Sequence, residues 1–212
     1  MASSQHNKTP RGETTGLVLA GGRARRMGGD DKGLVELNGV PMIEYVLCAL
    51  QPQVREIVIN ANRNRERYGR FGCVVISDSQ AGYLGPLAGM LSGMLAVRTS
   101  WLVSVPCDSP LLPVDLVSRL HTGLEAAGTR LAVAHDGERL QPVFALLDVT
   151  LRDDLQAFLA GGERKIDRWY ARHVYAEVDF SDIPDAFSNV NTPEQRRALE
   201  TVLQETRTRP GS

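Results

Sequence analysis

Apolar residues fall along this chain in short runs separated by amphipathic or polar stretches, and the two kinds alternate from residue 15 almost to the end. The first run, Gly16-Leu17-Val18-Leu19-Ala20, is short, rich in branched side chains and stopped by Gly21-Gly22, so it predicts a buried strand. Residues 34–37 with Asn38-Gly39 predict a short extended piece and a turn. Pro41, whose missing N–H is not needed in a first helical turn, opens a helix over 42–50. Residues 56–59 form a second strand ending at Asn60-Ala61-Asn62, residues 73–76 form a third ending at Ser77-Asp78, and 63–70 read as a charged connection. Gly85-Pro86 then begin a helix running to about Arg98, in which Met90, Leu91, Met94, Leu95 and Val97 supply core.

A fourth strand is predicted at 101–105, broken by Pro106, followed by a helix over 114–127 with Gly128 as its C′ residue. Residues 131–134 and 142–147 are strands joined by the polar turn 135–141. Residues 151–160 are an amphipathic helix ending at Gly161-Gly162, and 174–178 alternate like a strand near an edge. Thr192 and Gln195 form a capping box for the last helix. Strands alternating with helices predict an α/β fold, a doubly wound, mostly parallel sheet with helices on both faces. Its 212 residues suit one domain, expected over 15–206 with flexible tails at 1–14 and 207–212. Ligands of such sheets gather at the carboxyl ends of the strands, so the loop from Leu19 to Lys32, Asn60, Asp78 and Asp108 are expected along one rim.

Charge narrows the choice of ligand. Lys and Arg number 24 against 25 Asp and Glu, a formal −1, so the chain lacks the global basic field of a nucleic-acid binder. Positive charge is instead local: Arg23, Arg25, Arg26 and Lys32 surround Gly21-Gly22 and Gly28-Gly29. Glycine backbone approaches a ligand closely and exposes N–H donors to an anion, which makes a polyphosphate the natural guest. It is not a Walker A loop, since Lys32 is followed by Gly33, and G-x-G-x-x-G is absent.

Asp108, after the fourth strand, suits a divalent metal that brings phosphate oxygens of its own; equally, it suits a turn carboxylate bonding nearby N–H groups. Cys107 reads as a small buried neighbour rather than a nucleophile. Asn60 and Asp78 could read a base or sugar hydroxyl, or simply close their strands. His6, His121, His135 and His173 show neither metal spacing nor an acid–base partner. Three separated cysteines without a C-x-x-C pair suggest a reducing compartment, and no run is long enough for a membrane span. A cytoplasmic protein is expected, without membrane or nucleic-acid partners.

The string L-A-G-G-x-x-x-R-M-G-x-x-D-K at Leu19 to Lys32, with GPLAG at 85–89, PCDSP at 106–110 and NVNTPEQ at 189–195, resembles the molybdenum cofactor guanylyltransferase family. The resemblance spans nearly the whole chain after the tail and implies a Rossmann-like nucleotidyltransferase fold. It implies that Leu19, Ala20, Gly21, Lys32, Asn60, Asp78 and Asp108 contact GTP, that Asp108 also holds Mg²⁺, and that Asn189 and Asn191 lie near molybdopterin. Lys32, Arg26 and Asp108 would carry catalysis. Arg164 and Lys165 are weaker candidates for an acceptor phosphate, beside the acidic Glu163. The implied reaction is attack of the terminal phosphate of molybdopterin on the α-phosphorus of GTP. An unstable product further implies handover among cofactor-insertion and molybdoenzyme chaperone proteins by what is expected to be a monomer. Gly21 together with GPLAG favours guanine. Open beside this are a cytidylyl- or sugar-nucleotidyltransferase on the same fold, and a nucleotide-binding regulator or cofactor carrier without chemistry. An NAD-binding half lacks its glycine spacing.

Overall fold

The apolar runs fold into a seven-stranded sheet. The structure, a computed structural model, describes residues 10–20, 31–78, 85–188, 194–197 and 199–201. The elements in chain order are β1 (Thr14–Leu19), β2 (Glu36–Leu37), β3 (Val40–Pro41), α1 (Met42–Leu50), β4 (Glu56–Asn60), α2 (Arg65–Gly69), β5 (Val74–Ile76) and α3 (Pro86–Ala96). They continue with β6 (Trp101–Pro106), α4 (Leu116–Ala127), β7 (Leu131–His135), β8 (Leu140–Asp148), α5 (Arg152–Ala160), α6 (Ile166–Tyr170) and β9 (Ala176–Asp179). The large sheet has the order β5-β4-β1-β6-β8-β7-β9, while β2 and β3 form a separate hairpin. β4 and β6 flank β1 and run parallel to it; β8 alone runs antiparallel to its neighbours, β6 and β7.

Alternation along the central strands divides the core in two. Leu17, Val58, Leu102, Leu131, Val133, Ala145 and Leu147 face α3, α5 and Trp169 of α6. Their neighbours Val18, Ile57, Ile59, Val103, Val105, Ala132, Ala134, Phe144 and Leu146 face α1 and α4. The expected doubly wound, mostly parallel sheet is therefore the observed one, since a strand buried on both faces has apolar side chains at successive positions.

Several boundaries differ from expectation for identifiable reasons. Pro41 ends β3 and caps α1 from outside rather than occupying its first turn. Pro106 is the last residue of β6, and the next ladder bond to β1 is donated by the Cys107 N–H, so the missing proline N–H closes the strand without breaking it. The connection 63–70 contains one helical turn, α2, and α6 was not expected at all. A 3-10 turn, Pro10–Glu13, and Thr14 in β1 lie within the stretch expected as a tail. The cap Thr192 lies outside the described residues; helical residues follow at 194–197 and 199–201. Leu199 packs with Leu37 and Met42, and Asn38 Nδ2 donates to the Glu200 carbonyl at 3.0 Å, so this segment rests on the β2–β3 hairpin. Among the described residues no helix is long and apolar enough to cross a membrane.

At the opposite end of the sheet from the rim, His121 of α4 is buried. Its Nε2 lies 2.9 Å from Thr14 Oγ1, and its ring meets Trp101 edge-on at 5.5 Å. Burial pushes its pKa below the ordinary 6.5, against a weaker opposing pull from Glu125. The unfolded chain therefore takes up a proton near pH 6.5 that the folded chain resists, and the stability tied to the neutral ring is lost as pH falls below that value. Thermal unfolding should show Tm falling between about pH 7.5 and 5.5, and His121→Gln should flatten that slope. An unchanged slope in the variant would place the acid sensitivity elsewhere.

Candidate active site

Strand order reverses at β1: the chain runs outward through β4 and β5 on one side, then returns to β6 on the other. A crevice opens beyond the carboxyl ends of strands at such a reversal. The first strand ends in Leu19 and Ala20, and the Ala20 N–H donates to the Asn60 carbonyl at 2.9 Å. Beyond β6, the Cys107 N–H donates to the Leu19 carbonyl at 3.2 Å. These bonds extend the ladder by one residue on each side and fix the ends of three strands in a common line.

Two polar groups stand on that line. Lys32, opening a 3-10 turn (Lys32–Leu34), reaches across to Asp108, with Nζ 3.0 Å from Oδ2 and side-chain exposures of 37% and 11%. On the far side, Asp78 beyond β5 accepts from Asn60 Nδ2 at 3.1 Å and from Asn62 Nδ2 at 2.7 Å, while its N–H donates to Asn62 Oδ1 at 2.9 Å. Asn60 is only 2% exposed. Its side chain thus supports Asp78 from beneath, and Asp78 is the member of the pair that is half-buried at the surface.

The first turns of α3 lie above this line. Gly85, in the left-handed region at φ 78°, and Pro86 start the helix as expected, and Gly89 sits against Leu19 and Asn60 with no room for a side chain. A Cβ there would meet Leu19 Cδ2 at 2.5 Å and Asn60 Oδ1 at 2.7 Å.

Cys107 is buried, and its thiol is pushed well up, first by burial and then by the Asp108 charge beside it. At neutral pH it is a thiol, which fits packing and not nucleophilic attack. Arg164 turns its guanidinium back onto the carbonyls of Leu159 and Glu163, and Lys165 caps α6, so the contacts of these two residues are made with their own segment. Gly21, Arg26, Asn189 and Asn191 lie outside the described residues. The rim therefore brings together Leu19, Ala20, Lys32, Asn60, Asp78 and Asp108 from four separate stretches. Sequence reasoning passed over Asn62, which shares Asp78 with Asn60, and Asp31, which bonds Arg63 and Asn64. The alternating Asn60, Asn62 and Asn64 were the visible signal for both.

As a metal site the arrangement has one carboxylate at its centre, and among the described residues no group of three or more His, Cys, Asp or Glu is placed to hold an ion. That donor set fits a hard cation, such as Mg²⁺, arriving with phosphate oxygens and water that complete its octahedron. It does not fit a resident structural metal.

Known proteins give a consistent match. Residues 16–178 match the family model of the MobA-like NTP transferase domain. A molybdenum cofactor guanylyltransferase of Shewanella sediminis is 58% identical over 187 residues, covering 88% of this chain and 95% of that protein. One of Shewanella woodyi is also 58% identical over 187 residues, with the same coverage of 88% and 95%. Among solved structures, molybdopterin-guanine dinucleotide biosynthesis protein A of Archaeoglobus fulgidus superposes with a TM-score of 0.75 at 23% identity, over 90% of this chain and 99% of that one. With the family model covering most of the chain and the rim at the strand reversal in place, this chain belongs to the MobA-like NTP transferase family and is a nucleotidyltransferase.

Proposed function

We propose that this protein transfers GMP from GTP to the terminal phosphate of molybdopterin, forming the guanine dinucleotide cofactor and releasing pyrophosphate. The observation that carries this reading is the meeting of Lys32 and Asp108, 3.0 Å apart, at the crevice between β1 and β6. An acidic group in a polyphosphate site is unfavourable unless a cation matches it. Lys32 matches Asp108 in the free protein, and is in place to exchange that carboxylate for a nucleotide phosphate.

In the proposed reaction an oxygen of the acceptor phosphate forms a bond to the α-phosphorus of GTP, and the bond from that phosphorus to the bridging α–β oxygen breaks, its electron pair leaving on pyrophosphate. A phosphate monoester has a second pKa of about 6, so the attacking oxygen is already largely ionised near neutral pH and no general base is required. The work left for the protein is positioning and charge neutralisation. Lys32 and Arg26 would neutralise the phosphates, and the backbone of Leu19 to Gly21 would approach them. Asp78, steadied by Asn60 and Asn62, would receive hydroxyl or N–H donors of the nucleoside. Mg²⁺, held by Asp108, supplies further neutralisation when bound. Asn189 and Asn191 are proposed on the molybdopterin side. Handover to cofactor-insertion and chaperone proteins, in the cytoplasm, belongs to the same reading.

The test is pyrophosphate release by purified protein with Mg²⁺ and molybdate-loaded molybdopterin, with GTP, CTP and ATP in separate reactions. GTP-selective, pterin-dependent release is the expected result. Release with CTP would keep the mechanism and overturn the base assignment; tight GTP binding without release from any nucleotide would overturn the enzyme reading in favour of a carrier.

A further inference from the structure

One buried carboxylate at the rim has no part in that mechanism. Asp31, immediately before Lys32, is 4% exposed. Its Oδ1 accepts from Arg63 Nη2 at 2.8 Å and its Oδ2 from Asn64 Nδ2 at 2.9 Å. Its carbonyl accepts from the Leu34 N–H at 2.9 Å, starting the turn on which Lys32 sits. The donors come from the β4-to-β5 connection, in which Asn64 adopts a left-handed backbone, φ 49°, just before α2. Asparagine tolerates that region better than most residues.

The same connection also lies beside the residue on the other side of Lys32. Tyr68 of α2 is fully buried, and its hydroxyl lies 3.2 Å from where a Cβ on Gly33 would be. That hydroxyl has no hydrogen-bond partner among the described residues. Both chain neighbours of Lys32 thus lie against the β4-to-β5 connection, while the lysine side chain itself remains 37% exposed. A lysine carries its ammonium on a flexible four-carbon stem, so holding the backbone fixes the point from which that stem starts and narrows the region the ammonium samples. Asp31 also places a negative charge one residue from a phosphate-binding cation. Turned inward and matched by the Arg63 guanidinium, that charge does not compete for the Lys32 ammonium.

We propose that Asp31, clamped by Arg63 and Asn64, is a positioning residue that fixes the Lys32 backbone so that its ammonium stands at Asp108. The inference rests on the nucleotidyl-transfer reading above. Asp31→Asn keeps the volume and removes the charge. It should lower kcat about five- to tenfold, since small displacements of a catalytic group are enough for such losses. In a Lys32→Met background the same change should cost less than about twofold, because no ammonium is left to position. A purely structural residue would lower activity equally in both backgrounds, and that result would overturn the proposal. Should Asp31→Asn fail to fold, Arg63→Gln, on a half-exposed partner, runs the same cycle with the same expected non-additivity. GTP affinity measured by titration across the four proteins gives a second readout. A wild-type protein that binds GTP without transfer overturns the transfer reading and leaves the affinity cycle to decide the clamp; one that binds no GTP overturns both.

Discussion

Asp108→Asn should give a folded protein whose pyrophosphate release is slowed by about 10²–10³-fold, the range observed when one preorganised electrostatic group is removed from a site of developing charge. The substitution is nearly isosteric, so packing around the side chain, 11% exposed, is retained. What changes is charge. Lys32 loses the Asp108 carboxylate but is exposed enough to be solvated, and a partly exposed ion pair contributes about 1 kcal/mol at most. Tm should therefore move by only a few degrees while transfer collapses. The neutral amide is also a poor ligand for a hard cation, so the Mg²⁺ concentration needed for half-maximal residual activity should rise. Thermal unfolding and a Mg²⁺ titration of pyrophosphate release check both halves. Equal loss of stability and activity would mean that Asp108 is a turn carboxylate bonding its neighbours, the alternative that its sequence context leaves open.

The parts of the fold legible in the sequence were those whose physics is local. β1, β4, β6 and β7 are buried on both faces, so each appears as a continuous apolar run, and the carboxyl ends of β1, β4, β5 and β6 predict the rim that carries Lys32, Asn60, Asp78 and Asp108. β9 shows a two-residue alternation because it closes the edge of the sheet. Elements set by tertiary contact were not legible. α6 is one helical turn held by Trp169, whose Nε1 donates to Asp154 at 2.8 Å, and by Tyr170, whose hydroxyl donates to the Pro142 carbonyl at 2.6 Å. A five-residue helix has too little length to show a period. The clamp on Asp31 joins residues 32 and 33 positions apart, a separation to which no periodicity corresponds. Asn60 was legible as a rim residue but not as a buried support, because its orientation is set by tertiary contacts, Gly89 against its Oδ1 and Asp78 accepting from its Nδ2.

That packing makes Gly89→Ala the more informative probe of the nucleoside side. Residues Leu87 to Met94 of α3 are buried, and the helix can lie this close to β1 and β4 only because it presents glycine at the crossing. An added methyl would stand 2.5 Å from Leu19 Cδ2, the end of a flexible side chain that can swing aside, and 2.7 Å from Asn60 Oδ1, which cannot move alone. The Asn60 amide is tied to Asp78 through its Nδ2, so relieving the clash displaces the carboxylate proposed to read the nucleoside. Overpacking of this kind typically costs 1–3 kcal/mol, roughly 2–4 °C in Tm for each kcal/mol in a domain of this size. A hydrogen bond to a charged group contributes about 1.5–3 kcal/mol, so GTP affinity should weaken by about 10- to 100-fold in addition. Gly93→Ala provides the control one turn along the helix. Its Cβ would meet Leu17 Cδ2 at 2.8 Å and Leu102 Cδ2 at 3.0 Å, crowding apolar side chains and not a member of the rim's polar network. Both variants should lose comparable stability, and only Gly89→Ala should lose affinity for GTP. Equal affinity losses in calorimetric titrations of the two proteins would show that α3 transmits strain as a rigid body, and that the Asn60–Asp78 pair is not where the nucleoside is read.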